Sequence, residues 1–436
     1  MSLSPHSQSV PPAAASSPLI FSKSPAPELR AATPACASSV SASQYRAALT
    51  STPPSAPGRV LSLDILRAVA ILMVLGRHTV APIAGLGWAE PVVGFWTRIG
   101  WAGVDLFFVL SGFLVSGLLF SEFRKTGAVN LRRFVIRRGF KIWPPYLVYI
   151  AFVACWLAWK NRHGDATGPW EQLWPNLLHV QNYFHTPRIH TWSLAVEEHF
   201  YLGVAFLFYW LLGRRKPDAL LRSLPVAIIL AVVTLCAVRT WVFATRPTDA
   251  VNIYATHLRC DGLLLGTLLA YLSHFRPESL AILRRFPRSS ILVGLALALP
   301  TLVLAPEANV WTAGIGLAAL YVGFALLLCG FIQLPHSSPF MERTFASRPA
   351  AWLGAMGFFS YSIYLWHVDF GQTPLHKVAL YAAARGVDPG VTYVATTSVY
   401  VAVAIATGCL MARLLEKPSL ALRDRLFPSE VKALAK

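Results

Sequence analysis

Residues 191–212 read TWSLAVEEHFYLGVAFLFYWLL. From Phe200 onward the run is apolar, and its length suits a membrane-spanning helix, which needs about 20 residues. Yet Glu197, Glu198 and His199 stand side by side near its head. An ionisable side chain at membrane depth costs about 3 kcal/mol or more. Such a helix is therefore expected inside a bundle, facing a cavity or other polar helices rather than lipid. The spacing agrees: His190, Ser193, Glu197 and Tyr201 follow at intervals of three, four and four, so they share one helical face, with Glu198 about 80° away. Either glutamate can pair with a buried arginine (Arg67, Arg239 or Arg259), orient a histidine or move a proton. A purely structural ion pair is an equally simple account of one alone.

The whole chain has this character. Its 436 residues are 55% hydrophobic and 13% charged, against roughly 25% charged in soluble domains. The net charge of +18 sits in breaks between apolar runs, the pattern of topology signals and anionic-lipid contacts, so nucleic acid is not expected as a partner. Six cysteines are scattered, mostly within apolar runs, which argues against a disulfide framework or a metal site. Residues 1–58 are rich in Ser, Ala and Pro and are expected to be a disordered tail. A transmembrane domain is expected over 59–415 and a basic cytoplasmic tail over 416–436.

The expected fold is all-α and polytopic, with about ten transmembrane helices near 61–80, 101–121, 142–160, 192–212, 223–244, 257–274, 289–305, 311–331, 352–371 and 391–412. Lys and Arg concentrate in alternate loops, which predicts both termini on the cytoplasmic side. The longest outer loop, about 161–190, holds Trp and His and can cover a site.

Several spans carry residues unsuited to lipid. In LDILRAVAILMVLGRH, eleven steps separate Arg67 from His78, which places them within about 20° on one stripe and about 16 Å apart. His78 can exchange a proton near neutral pH. In WAGVDLFFVLSGFLVSGLLF, Asp105, Gly112 and Ser116 share a face that permits close helix approach, and Asp105 is expected to meet an Arg or His of a neighbour. In RRFVIRRGFKIWPPYL, Arg132 and Arg133 read as topology charges, whereas Arg137, Arg138 and Lys141 form a cationic cluster able to hold phosphates. Arg259 and Asp261 cannot face each other and are expected to seek partners on different helices. Ser360, Tyr364 and His367 share a face, and His367 beside Trp366 reads equally well as an interfacial anchor.

In their order, LDILRAVAILMVLGRH, GVDLFFVLSGFLVSG, RRGFKIWPPY, TWSLAVEEHFYL, THLRCDGLLLG and SYSIYLWH resemble the membrane-bound acyltransferase 3 family over about 61–412. The resemblance implies transfer of an acyl group, usually acetyl, from cytoplasmic acyl-coenzyme A to a hydroxyl of a carbohydrate or lipid-linked glycan. It also implies a multi-pass protein of the bacterial inner membrane, in contact with its lipids. By the same resemblance, His78 is the catalytic histidine and Arg67 its partner. Arg137, Arg138 and Lys141 are the basic motif for the donor phosphates, and Glu197 and Glu198 are the paired glutamates. The thioester arm would run up the first helix towards His78, which either deprotonates the acceptor or takes the acyl group itself. Asp105, Ser193, Tyr201, Arg259, Asp261, Tyr364 and His367 are expected to have structural or substrate-site roles.

There are departures from the family pattern. Lys141 stands where arginine is usual, Ile65 and Ala68 replace glycines, and Arg77 replaces an apolar neighbour of His78, where its charge favours the neutral imidazole. No hydrolase-like domain is expected after the last helix, so the acceptor is expected to reach the membrane site itself. Two other readings remain at this stage. One is a transporter of an anionic or lipid-linked substrate, which often carries internal repeats that are not evident here. The other is a non-catalytic scaffold.

Overall fold

A computed structural model of the chain describes residues 60–81, 83–162, 169–212, 217–246, 253–304 and 309–428. The expectation of a disordered tail over 1–58 lies outside them. Among the described residues every regular element is helical. The principal helices are α1 (Leu61–Arg77), α2 (Gly103–Thr126), α3 (Leu131–Asn161), α4 (Trp192–Leu212), α5 (Pro217–Thr245), α6 (Asp261–Phe275), α7 (Pro287–Leu304), α8 (Leu317–Gln333), α9 (Arg348–Phe358), α10 (Ser360–His367), α11 (Pro389–Met411) and α12 (Lys417–Leu426).

Among the described residues, six helices are long and apolar enough to cross a membrane: Gly87–Thr126, Leu131–Asn161, Leu221–Thr245, Pro287–Leu304, Thr312–His336 and Pro389–Leu426. Large apolar side chains on several of them point outward, among them Leu230 and Val233 on α5 and Leu292 and Leu295 on α7. An outward apolar surface of this kind suits a lipid solvent. By contrast Asp64 of α1, Glu198 of α4, Asp261 of α6 and His367 of α10 are buried inside the bundle, as are Asp105 of α2 and Arg239 of α5.

Two boundaries differ from the sequence expectation. The first helix stops at Arg77, and His78 caps it with φ −104° and ψ 25°. The third begins at Leu131 rather than near 142, because the basic segment continues the helix into the apolar run; its 31 residues span about 46 Å. Pro144 and Pro145 sit inside that helix. Pro144 has no N–H to give to the carbonyl of Phe140, one turn back. Ser419 of α12 donates to that freed carbonyl instead, and so ties the C-terminal helix to α3.

The centre of the bundle is the α2–α6 pair. A side chain at Gly112 would come within 2.0 Å of the Leu263 carbonyl, and one at Gly266 within 2.2 Å of the Val109 carbonyl. Only glycine permits this approach. Ser116 and Thr267 hydrogen-bond at 2.8 Å along the same seam, and at its end Arg259 meets Asp105 at 2.5 Å. Asp105 also accepts from the Tyr321 hydroxyl at 2.8 Å. Arg259 and Asp261 do take partners on different helices. Asp261 pairs with the fully buried Arg239 of α5 at 2.8 Å.

Arg239 is anchored further by a π-helical turn, Thr312–Gly316. It donates to the carbonyls of Ala313 at 2.5 Å, Gly314 at 3.2 Å and Leu258 at 2.7 Å. Removing one partner of a buried ion pair leaves the other charge uncompensated. Arg239→Ala is therefore expected to cost about 3–5 kcal/mol. The check is the thermal midpoint of the detergent-solubilised protein, with Asp261→Asn falling less because it retains an acceptor.

Candidate active site

Three cavities line up beside α1. The middle one, about 90 Å³, is lined by Arg67, Ser111, Arg138, Lys141, Ser193, Glu197, Glu198, Tyr201, Ser360 and Tyr364 among others. Towards one end it adjoins a larger cleft of about 380 Å³. Arg67, Arg138 and Lys141 line this cleft too, joined by Lys125, Arg133, Arg137 and Arg423, with Glu122 as its acidic residue. Towards the other end lies a cavity of about 150 Å³ lined by His78, Arg77, His190, Trp192, Tyr254 and Arg259. Val104 and Tyr364 line both this cavity and the middle one.

The two adjacent glutamates of α4 are now accounted for. Glu197 accepts from the Tyr201 hydroxyl at 2.6 Å, one turn along the helix, and from the Ser111 hydroxyl of α2 at 3.0 Å. The Arg138 guanidinium lies over the Tyr201 ring, 4.7 Å from its centre. Glu198 accepts from the Trp143 indole at 3.3 Å, and its other oxygen has no hydrogen-bond partner among the described residues. The ion pairs considered for these glutamates with Arg239 and Arg259 do not form, since those arginines are taken by Asp261 and Asp105. Arg67 pairs with Asp64 at 3.2 Å within α1. The glutamates instead face the cationic wall built by Arg138 and Lys141.

His78 is held by its own helix. Its Nδ1 lies 2.9 Å from the Val74 carbonyl. A carbonyl only accepts, so Nδ1 carries the proton and the lone pair of the neutral ring is on Nε2. The His367 ring packs against it edge-on with centroids 5.0 Å apart, and His190 packs against His367 at 5.5 Å. His367 is fully buried, which overturns its reading as an interfacial anchor. Its Nδ1 is 2.6 Å from the Tyr364 carbonyl, so its Nε2 is likewise the basic nitrogen. His190 precedes the α4 span; burial pushes its imidazole down to about 4, outweighing the Asp369 carboxylate nearby, so it is neutral at pH 7.

Tyr364 joins these parts. Its hydroxyl meets Ser193 at 2.8 Å and donates to the His190 carbonyl. Thus Ser193, Tyr201, Glu197, Glu198 and Tyr364 converge on one cavity, and His78 and His190 line the next, with the His367 ring packed against both histidines. Asp105 and Asp261 are held in ion pairs behind them. Arg137 stands apart from Arg138 and Lys141: it reaches outward to Asp424 at 3.1 Å and donates to the Phe427 carbonyl.

Some residues of the site carried no usable signal in the sequence. Arg188 of the outer loop pairs with Asp369 at 2.5 Å, and Tyr149 donates to the same carboxylate at 2.7 Å. Asp369 belongs to a second π-helical turn, Val368–Gln372. A third, Ala412–Glu416, buries Glu416. Ser362 donates to that carboxylate at 2.9 Å, and its charge interacts with Lys141 and Arg67. Such turns widen a helix by one residue and recur at functional sites. The segment before α4 is tied to α3 and to the start of α4: Asn176 and Gln181 donate to Thr191, and Tyr146 of α3 donates to the Asn176 carbonyl.

A family model described as an acyltransferase domain, Acyl_transf_3, matches residues 60–413. The chain belongs to this acyltransferase family. Among its curated relatives, the peptidoglycan O-acetyltransferase OatA of Listeria monocytogenes is 28% identical over 323 residues, which is 71% of this chain and 49% of that protein. The O-acetyltransferase OatA of Staphylococcus aureus is 27% identical over 71% of this chain and 50% of its own length. The putative peptidoglycan O-acetyltransferase YrhL of Bacillus subtilis is 28% identical over 72% and 49%. The chain spans about half the length of these relatives. No solved structure matches. The apolar helices and these bacterial relatives make the chain a multi-pass integral protein of the bacterial plasma membrane.

Proposed function

We propose that this chain is a membrane O-acyltransferase that moves an acyl group, acetyl first among them, from cytoplasmic acyl-coenzyme A to a hydroxyl of a carbohydrate or glycolipid acceptor during modification of a cell-surface polysaccharide. The reading rests above all on His78, an imidazole oriented by a backbone carbonyl so that Nε2 is its basic nitrogen, one cavity away from a cluster of cations. The relatives act, by name, in O-acetylation, two of them on peptidoglycan. A peptidoglycan fragment is accordingly the first acceptor to try.

The membrane arrangement belongs to the same proposal. Ten spans with both termini cytoplasmic would add α1, α4, α6 and the α9–α10 pair to the six long helices. The basic cleft then opens to the cytoplasm and His78 lies towards the outer face. The positive loops support this orientation.

The cleft suits a polyphosphate. Its basic residues outnumber its carboxylates, and the Arg138 Nε has no hydrogen-bond partner among the described residues. The donor would supply an activated thioester when bound. Arg138 and Lys141 would hold its phosphates, with Glu197 fixed by Ser111 and Tyr201 as the counter-charge that keeps this cationic wall in place. The Nε2 of His78 would take the proton of the acceptor hydroxyl, or would itself carry the acyl group; both routes use the same nitrogen. Arg67, with Asp64 behind it, would line the path between cleft and middle cavity.

The experiment is to incubate the purified protein with radiolabelled acetyl-coenzyme A and peptidoglycan or glycan fragments, following both the free thiol and the labelled product. Thiol release that requires an acceptor hydroxyl is expected. Protein that carries label across a vesicle membrane without releasing thiol would overturn the proposal.

A further inference from the structure

Helix α12 lies beyond residue 413, where the family match ends, yet it contributes a residue to the basic cleft. Arg423 lines the cleft beside Arg137 and Arg138. Three contacts hold α12 there: Ser419 donates to the Phe140 carbonyl freed by Pro144, Arg137 donates to the Phe427 carbonyl, and Arg137 pairs with Asp424 at 3.1 Å. Asp424 also binds Arg423, at 2.8 Å to one guanidinium nitrogen and 3.0 Å to Nε. A single carboxylate, 43% exposed, therefore bridges two guanidinium groups at the rim of the cleft. Two arginines bridged by an anionic oxygen is an arrangement that a phosphate can take over, because planar guanidinium groups match its oxygens.

We propose that α12 is part of the donor-binding site, with Arg423 contacting the phosphates of a nucleotide-linked acyl donor and Asp424 holding Arg137 and Arg423 in place as an internal competitor for those phosphates. This rests on the acyl-coenzyme A reading above and deepens it. The other basic residues of the cleft come from α1, α2 and α3, so Arg423 is the one contribution of α12 among the residues lining the cleft. The Arg423 side chain is 19% exposed, which keeps it in partial contact with solvent and able to turn towards a bound anion. Glu122, the acidic residue lining the cleft, is paired with Arg133 at 2.8 Å.

The two residues give opposite signs, and this separates binding from mere support of the fold. Arg423→Ala is expected to raise KM for acetyl-coenzyme A about tenfold with little change in kcat, the scale of one charge-assisted contact at a part-exposed site. Asp424→Asn releases both arginines and is expected to lower KM about threefold. Acetyl-pantetheine, which has the thioester and no phosphate, should be turned over with the same KM by wild type and both variants. If both substitutions raised KM, or if Arg423→Ala acted equally on acetyl-pantetheine, α12 would be a structural brace and the proposal would fall. If the wild-type protein released thiol from neither donor, the failure would lie with the acyl-coenzyme A reading itself.

Discussion

His78→Ala is expected to lower acyl transfer by a factor of about 10² to 10⁴, the usual contribution of a positioned acid–base group. The measurement is the turnover of thiol release with donor and acceptor both saturating, on protein whose expression and thermal midpoint match wild type. Folding should survive, because His78 caps the C-terminal end of α1 and is only half-buried. His78→Asn provides the sharper control. It can keep a hydrogen bond to the Val74 carbonyl but offers no basic nitrogen where Nε2 stood. If asparagine restored transfer, His78 would be a structural cap and the mechanism would need another base; His367, 5.0 Å away between ring centres, is the neighbour to test next.

Arg138→Leu is expected to raise the donor KM by about ten- to a hundredfold, the range of one to two charge-assisted hydrogen bonds. Arg138 lines both the basic cleft and the middle cavity, and its guanidinium plane rests on the Tyr201 ring. Lysine should recover little of this loss, because an ammonium offers neither the planar fork nor the same stacking on tyrosine. The loss should shrink at high salt only in part, since screening acts weakly on a group enclosed by protein. Equal donor KM values for wild type and Arg138→Leu would remove phosphate binding from this part of the cleft.

Much of this architecture was legible before any coordinates. The face shared by Asp105, Gly112 and Ser116 is the α2–α6 seam, because a period of 3.6 fixes which residues look the same way. The cost of charge in lipid explains why Arg259 and Asp261 had to find partners on other helices. What spacing does not encode is which distant segments meet. His78, His190 and His367 come from three separate regions, and nothing in any one of them announces the other two. Arg239 stands alone in an apolar run, and two of its four acceptors, the carbonyls of Ala313 and Gly314, belong to a π-helical turn that no composition rule marks. Arg423 is hidden for a different reason. A basic residue after the last span looks like an orientation signal whether or not it lines a cleft.

The buried ion pairs also impose an order on synthesis. Asp105 emerges 154 residues before Arg259, its partner. At about 5–20 residues per second, that carboxylate waits roughly ten to thirty seconds for its counter-ion. Arg239 waits for only 22 residues, until Asp261 follows on the next helix. The Arg239–Asp261 pair can therefore close as soon as the start of α6 is made, whereas Asp105 of α2 stays without its counter-ion until Arg259 follows. The central seam closes only then, and a ribosome stalled before residue 259 would leave a chain whose α2 face has not yet been zipped.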